Sequence, residues 1–167
     1  MEDQVKNWIN KIEEVRKGDV DLSRDEDLSI ALMNLISLEE HFYFTAMKTN
    51  NQNYLEMLNS VRNLRKQLLA KIVRNPKGEE WCISKHLLGA SMRLMEVGTK
   101  ELAKKNSKEA NLFFTSAFDL YSLFLGINVN MTGMKELNTN LKQYNKENGL
   151  LQKFSEIVKK IVDCCKE

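Results

Sequence analysis

The chain has 167 residues, 43% of them hydrophobic and 29% charged, with a net charge of +2; that balance fills and covers a core and excludes a disordered chain. It holds only 7 Gly and 1 Pro, about 5% where about 12% is usual, which argues against turn-rich sandwiches and barrels and for long helices. No run approaches 18 uncharged apolar residues, the first residues lack an apolar leader core, and Cys82, Cys164 and Cys165 make a poor disulfide framework, so a cytoplasmic location without membrane attachment is expected.

In chain order, the first predicted helix runs from about Asp3 to Lys17, with Gly18 in the usual stop position. Ser23-Arg24-Asp25-Glu26 reads as a capping box that opens a long helix to about Thr49. Asn50-Asn51 breaks the chain before a helix from about Asn53 to Arg74. Asn75-Pro76-Lys77-Gly78 is the clearest turn, followed by a helix from Glu79 to about Lys105. Ser107 is expected to cap a helix from about Lys108 to Leu125, with a loop from Gly126 to Gly133. A last helical stretch, Met134 to Cys165, is expected to break at Asn148-Gly149. Short connections imply antiparallel neighbours, so the fold class is all-α: an antiparallel up-and-down bundle of five to six helices. The whole chain, 1–167, reads as one domain, with 134–165 as an arm or cover.

Leu94, Gly98, Ala110, Phe114 and Ala117 have spacings that resemble one tetratricopeptide unit over about residues 91–124. A lone unit cannot bury its own face. The segment therefore reads as a tight helical hairpin with small residues at the crossing. The helix at 108–125 is apolar around most of its circumference, which places it centrally or at an interface.

Unrolling the helices at 100° per residue exposes the candidate site. Leu28, Leu32, Leu35, Leu38, Phe42 and Ala46 form the expected buried stripe of the second helix, and Glu39 lies inside it. Tyr54, Leu58, Val61, Leu68, Leu69 and Ile72 form that of the third, with Arg65 inside it and Arg62 at its edge. A buried charge needs a partner. Folding the hairpin about Asn50 brings Glu39 within reach of Arg62 and Arg65. A Glu–Arg pair that fixes helix register is the first reading, and a pocket for a small polar or anionic ligand the second.

Cys82 and His86, with His41 and Glu40, could form a zinc set in the abstract. Lysines and Arg93 share the His86 face, so no metal or cofactor is expected. His41, His86 and Arg93 are retained as possible extensions of the ligand site. Gly-rich phosphate loops, nucleophile elbows and metalloprotease motifs are missing. Gly98 is expected at a close helix crossing, whereas Gly89, on the polar face with Cys82, His86 and Arg93, points to an outside ligand or partner.

Residues 1–30 hold nine acids and five bases, and residues 51–77 one acid and six bases. The two segments are complementary, or the basic one meets an anion such as RNA. The leading functional expectation is a non-enzymatic helical interaction or scaffold protein with a protein partner or self-association. The alternatives are a small-ligand or enzymatic site around Glu39, Arg62 and Arg65, and an RNA-binding helical module.

Overall fold

The structure is a computed structural model and describes residues 23–76 and 78–128, together with Ser155 and Lys159. The described chain is all-helical: α1 (Ser23–Thr49), α2 (Asn53–Ile72), α3 (Glu80–Ala103) and α4 (Ser107–Asn128), with no strand among these residues. The helix expected at 3–17 and most of the stretch at 134–165 lie outside the described residues.

Each helix ends for a local reason. Asn50 closes α1 at φ 50°, a left-handed position that Asn tolerates well. The Asn51 side chain then accepts from the Asn53 N–H at 3.0 Å, which covers an orphan donor of α2. α2 stops at Ile72, two residues short of the expected end, where Val73 leaves the helical region and Pro76 follows. α3 ends in a complete Schellman motif. The Asn106 N–H reaches the Glu101 carbonyl at 3.0 Å, the Lys105 N–H reaches that of Leu102 at 2.9 Å, and Lys105 takes φ 63°.

The opening of α4 differs from expectation. Ser107 is the first helical residue, and the Asn106 carbonyl takes the first bond, from the Ala110 N–H at 3.0 Å. The far end differs too, because α4 continues through Gly126 to Asn128 rather than becoming a loop. The Asn128 side chain explains this: its Nδ2 donates to the Phe124 carbonyl at 2.8 Å and to Ser84 Oγ at 3.0 Å, tying the last turn to α3.

Leu32 and Met33 of α1, Leu69 and Ile72 of α2 with Val73, Leu87 and Leu88 of α3, and Tyr121, Phe124 and Ile127 of α4 form the core. They come from the start of α1, the end of α2, the start of α3 and the end of α4, so the core occupies one end of the bundle. α1 packs on α2 and on α3, and α3 packs on α4. Along the α3–α4 contact Ser84 meets Asn128, Ser91 donates to the Ala117 carbonyl at 2.8 Å, and Gly98 meets Phe114.

Small residues set the closest approaches. A Cβ added to Gly98 would lie 2.7 Å from Phe114 Cε1. One added to Gly89 would lie 3.3 Å from Ile36 Cγ2. Gly89 therefore serves the contact with α1 of the same chain, which corrects its reading as a place for an outside partner. The α1 stripe also needs correction. Ser29, Leu32 and Met33 are buried and Leu38 is exposed, because α1 is flanked by two helices and its buried arc rotates toward α3.

Of the described helices, α4 alone is long and apolar enough to cross a membrane by length and composition. Within the fold part of its apolar surface is used in packing: Ala110, Ala117, Tyr121, Phe124 and Ile127 are buried, whereas Leu112 is exposed. Outside α4, Ser155 is buried and donates to the Asp119 carboxylate.

Candidate functional site

The candidate charges sit on α1 and α2, and their geometry divides them. Arg65 Nε donates to Glu39 Oε1 at 2.7 Å and Nη2 to Oε2 at 3.2 Å, a two-pronged pair. Arg65 is 3% exposed and the Glu39 side chain 16%. Both sides of the carboxylate fork are used, so the pair satisfies itself. Arg62 is exposed and stands apart from it.

The remaining candidates lie on the other flank of α1. His41, with Asn34, Ser37, Thr45, Lys48, Leu38 and Phe44, lines a shallow groove of about 650 Å³ closed on one side by Arg93 and Glu96 of α3. Arg93 Nη2 meets Glu40 Oε2 at 2.5 Å, with both side chains about half exposed, so solvent screens the pair. His86 and Cys82 are exposed on α3 outside that groove. Among the described residues no group of three His, Cys, Asp or Glu side chains is close enough to hold a metal ion.

Buried polar groups elsewhere are structural. Ser29 Oγ donates to the Glu26 carbonyl at 2.6 Å and lies 2.7 Å from the Tyr121 hydroxyl, which is left to donate to it. Burial pushes the Tyr121 pKa up to about 12 from its ordinary 10.0, against the opposing pull of the Ser29 hydrogen bond. Ser122 Oγ donates to the Phe118 carbonyl at 2.7 Å. Glu101 is held below the usual carboxylate range by hydrogen bonds from Lys104 and Asn106.

One feature of the surface escaped the sequence. Tyr43 and Met47 stand eleven positions beyond Leu32 and Ile36 respectively, three helical turns along the same side of α1. Met95 and Leu102 stand seven and fourteen positions beyond Leu88 on α3, and Arg62 seven before Leu69 on α2. All five continue core-facing stripes, yet Tyr43 is 48%, Met47 54%, Met95 44% and Leu102 53% exposed, and Arg62 is exposed as well. Periodicity showed that these positions share the core direction. It carried no information on where the core stops, which depends on how far the two hairpins stay together.

Comparison with protein-family models, with curated proteins and with solved structures gives no match to this chain.

Proposed function

We propose that the protein is a non-enzymatic helical interaction or scaffold module. The observation that carries this reading is the run of core-facing positions left half-exposed at one end of the bundle: Tyr43, Met47, Met95 and Leu102. Scattered exposed apolar residues are ordinary. Apolar residues that continue three turns of buried stripe mark a surface made to be covered. The proposal includes a single domain, cytoplasmic, of five to six helices in up-and-down order. Antiparallel hairpins are supported by the pairings of Glu39 with Arg65 and Phe42 with Tyr54, and of Ser84 with Asn128 and Gly98 with Phe114.

A small polar ligand is the second reading, and the α1–α3 groove with His41, Lys48 and Arg93 favours it. Two things weigh against it. Glu40 already pairs with Arg93, and both oxygens of Glu39 are taken by Arg65. RNA binding rests only on the basic segment 51–77, whose one aromatic side chain, Tyr54, is already stacked on Phe42.

Native mass spectrometry of the protein taken from its own cell tests the interaction reading. It is expected to show a stoichiometric protein partner or a homo-oligomer. A bare monomer, or a monomer carrying only a small molecule, contradicts it.

A further inference from the structure

We infer that the outer face of the α1–α2 hairpin is a docking surface for the chain's own residues 3–17, laid across it as an amphipathic helix antiparallel to α1. The inference goes beyond the interaction reading, because it concerns the face turned away from α3 and names its occupant.

The face follows from the observed pairings. Ile36 and Glu40 meet Gly89 and Arg93 of α3. Each is two positions from Leu38, about 160° round the helix, so Leu38 points away from α3. On α2, Arg65 marks the side that meets α1 and Leu69 the side that meets the core. Leu64 lies about 100° from Arg65, on the side opposite Leu69, and so turns to the same outer face as Leu38. Leu35, Val61 and Leu68 are half-buried between the two. Leu38 is 36%, Leu64 46% and Met57 49% exposed. These positions form an apolar trough along the hairpin, and a continuous apolar trough is a surface made to be covered.

The sequence next to the trough has the matching pattern. Residues 1–22 precede α1 directly. Val5, Trp8, Ile9, Ile12 and Val15 recur at helical spacing and form one apolar side of a helix over 3–17. Gly18 to Leu22 make a short connection, and short connections return a helix antiparallel beside the next. Residues 3–17 as a helix span about 22 Å, which reaches back along α1 to about the level of Leu38. With α2 running back along α1, as proposed above, that places Trp8 near Leu64 and Ile12 near Leu68. Trp8 is the largest apolar side chain of the segment and gains most from the trough.

Charge agrees with this placement. At the same offset Glu13 lies level with Leu69, two positions from Lys71. Lys71 is exposed on the outer side of α2, and among the described residues it has no carboxylate within ion-pair distance. The C-terminal stretch is engaged elsewhere. Ser155 is buried and donates to Asp119 of α4. Asp119 is two positions from Tyr121, which meets Ser29 of α1, so it points away from the α1–α2 hairpin.

The test uses the full-length protein with benzoylphenylalanine in place of Leu64, purified, irradiated and digested. The crosslink is expected within one chain, to residues 3–17. A second measurement is brief trypsin treatment of wild type, Leu64→Glu and Leu112→Glu, both substitutions at exposed leucines. Cleavage after Lys6, Lys11, Arg16 and Lys17 is expected to be at least about tenfold faster in Leu64→Glu than in wild type or Leu112→Glu. If Leu64→Glu fails to fold, Trp8→Glu takes its place with the same expected rise.

A crosslink to residues 129–167 assigns the face to the C-terminal stretch and overturns the inference. A crosslink between two chains overturns it in favour of a second copy. So does the absence of any crosslink, or cleavage of the folded Glu variant at the wild-type rate, either of which leaves the trough without residues 3–17.

Discussion

At the scale of single residues, the Glu39–Arg65 pair shows how a charge is kept inside a helical hairpin. With Arg65 almost wholly buried, removing its partner leaves an uncompensated cation. Glu39→Ala is therefore expected to destabilise the fold by about 3 kcal/mol in urea unfolding. The double change Glu39→Leu with Arg65→Met removes both charges and is expected to recover most of that loss. Tyr121 gives a pH signature. Its pKa is raised on folding, from 10.0 to about 12, so its contribution is complete below pH 10 and is lost as pH rises toward 12. Tyr121→Phe is expected to cost about 1 kcal/mol at pH 8 through the lost hydrogen bond to Ser29. The gap between wild type and variant is then expected to narrow between pH 10 and pH 12 in paired unfolding curves.

Lys105 illustrates a local cost accepted by the chain. It occupies a left-handed position that suits glycine, within an otherwise complete helix stop. Lys105→Gly is expected to stabilise by about 0.5–1 kcal/mol, visible as a higher melting temperature. Glu101 is set against this strain. It gathers Lys104 Nζ at 2.8 Å and Asn106 Nδ2 at 3.1 Å, on both sides of the turn.

At the scale of the helices, the positions of Gly98, Ala110 and Ala117 make α3 and α4 the closest pair. Gly98→Ala puts a methyl group against the Phe114 ring and the Phe113 Cβ. It is expected to destabilise by about 1–3 kcal/mol in thermal unfolding, and more than Gly89→Ala, whose added methyl would meet one methyl group, Ile36 Cγ2, at 3.3 Å. Helix spans were legible in the sequence because breaker residues are few and stand between elements. Helix ends were less so. Gly126 signals a stop by its type, but the Asn128 link to Ser84 across 44 positions holds that turn helical, and such a contact is invisible to a local pattern. The α1 stripe was legible on its α2 side and not on its α3 side. A single angular window finds the strongest apolar arc, and here Ser29 and Met33 belong to a second arc that includes a hydroxyl.

At the scale of the whole molecule, the pairing of Glu39 with Arg65 was legible because two charges in facing apolar stripes have few other ways to be satisfied. The separation of Arg62 from that pair was not, since side-chain reach alone admitted both arginines. Nor was the open end. Tyr43, Met47, Met95 and Leu102 carry the same periodic signature as the core residues before them, and only the packing of one hairpin on the other decides which of them water reaches. Among the described residues the main apolar cluster lies at one end of the bundle, while toward the other end Ala46 and Ala110 are buried and Tyr43, Met47, Met95 and Leu102 stand half-exposed. That asymmetry is the physical basis of the interaction function proposed for the chain. The most direct test places a photo-crosslinking benzoylphenylalanine at Met47, within the open end, and in a separate variant at Asn63, on the solvent side of α2, and irradiates living cells. The open-end account predicts one discrete protein adduct from position 47 and none from position 63. Adducts that are absent at 47, or equal at both positions, would contradict it.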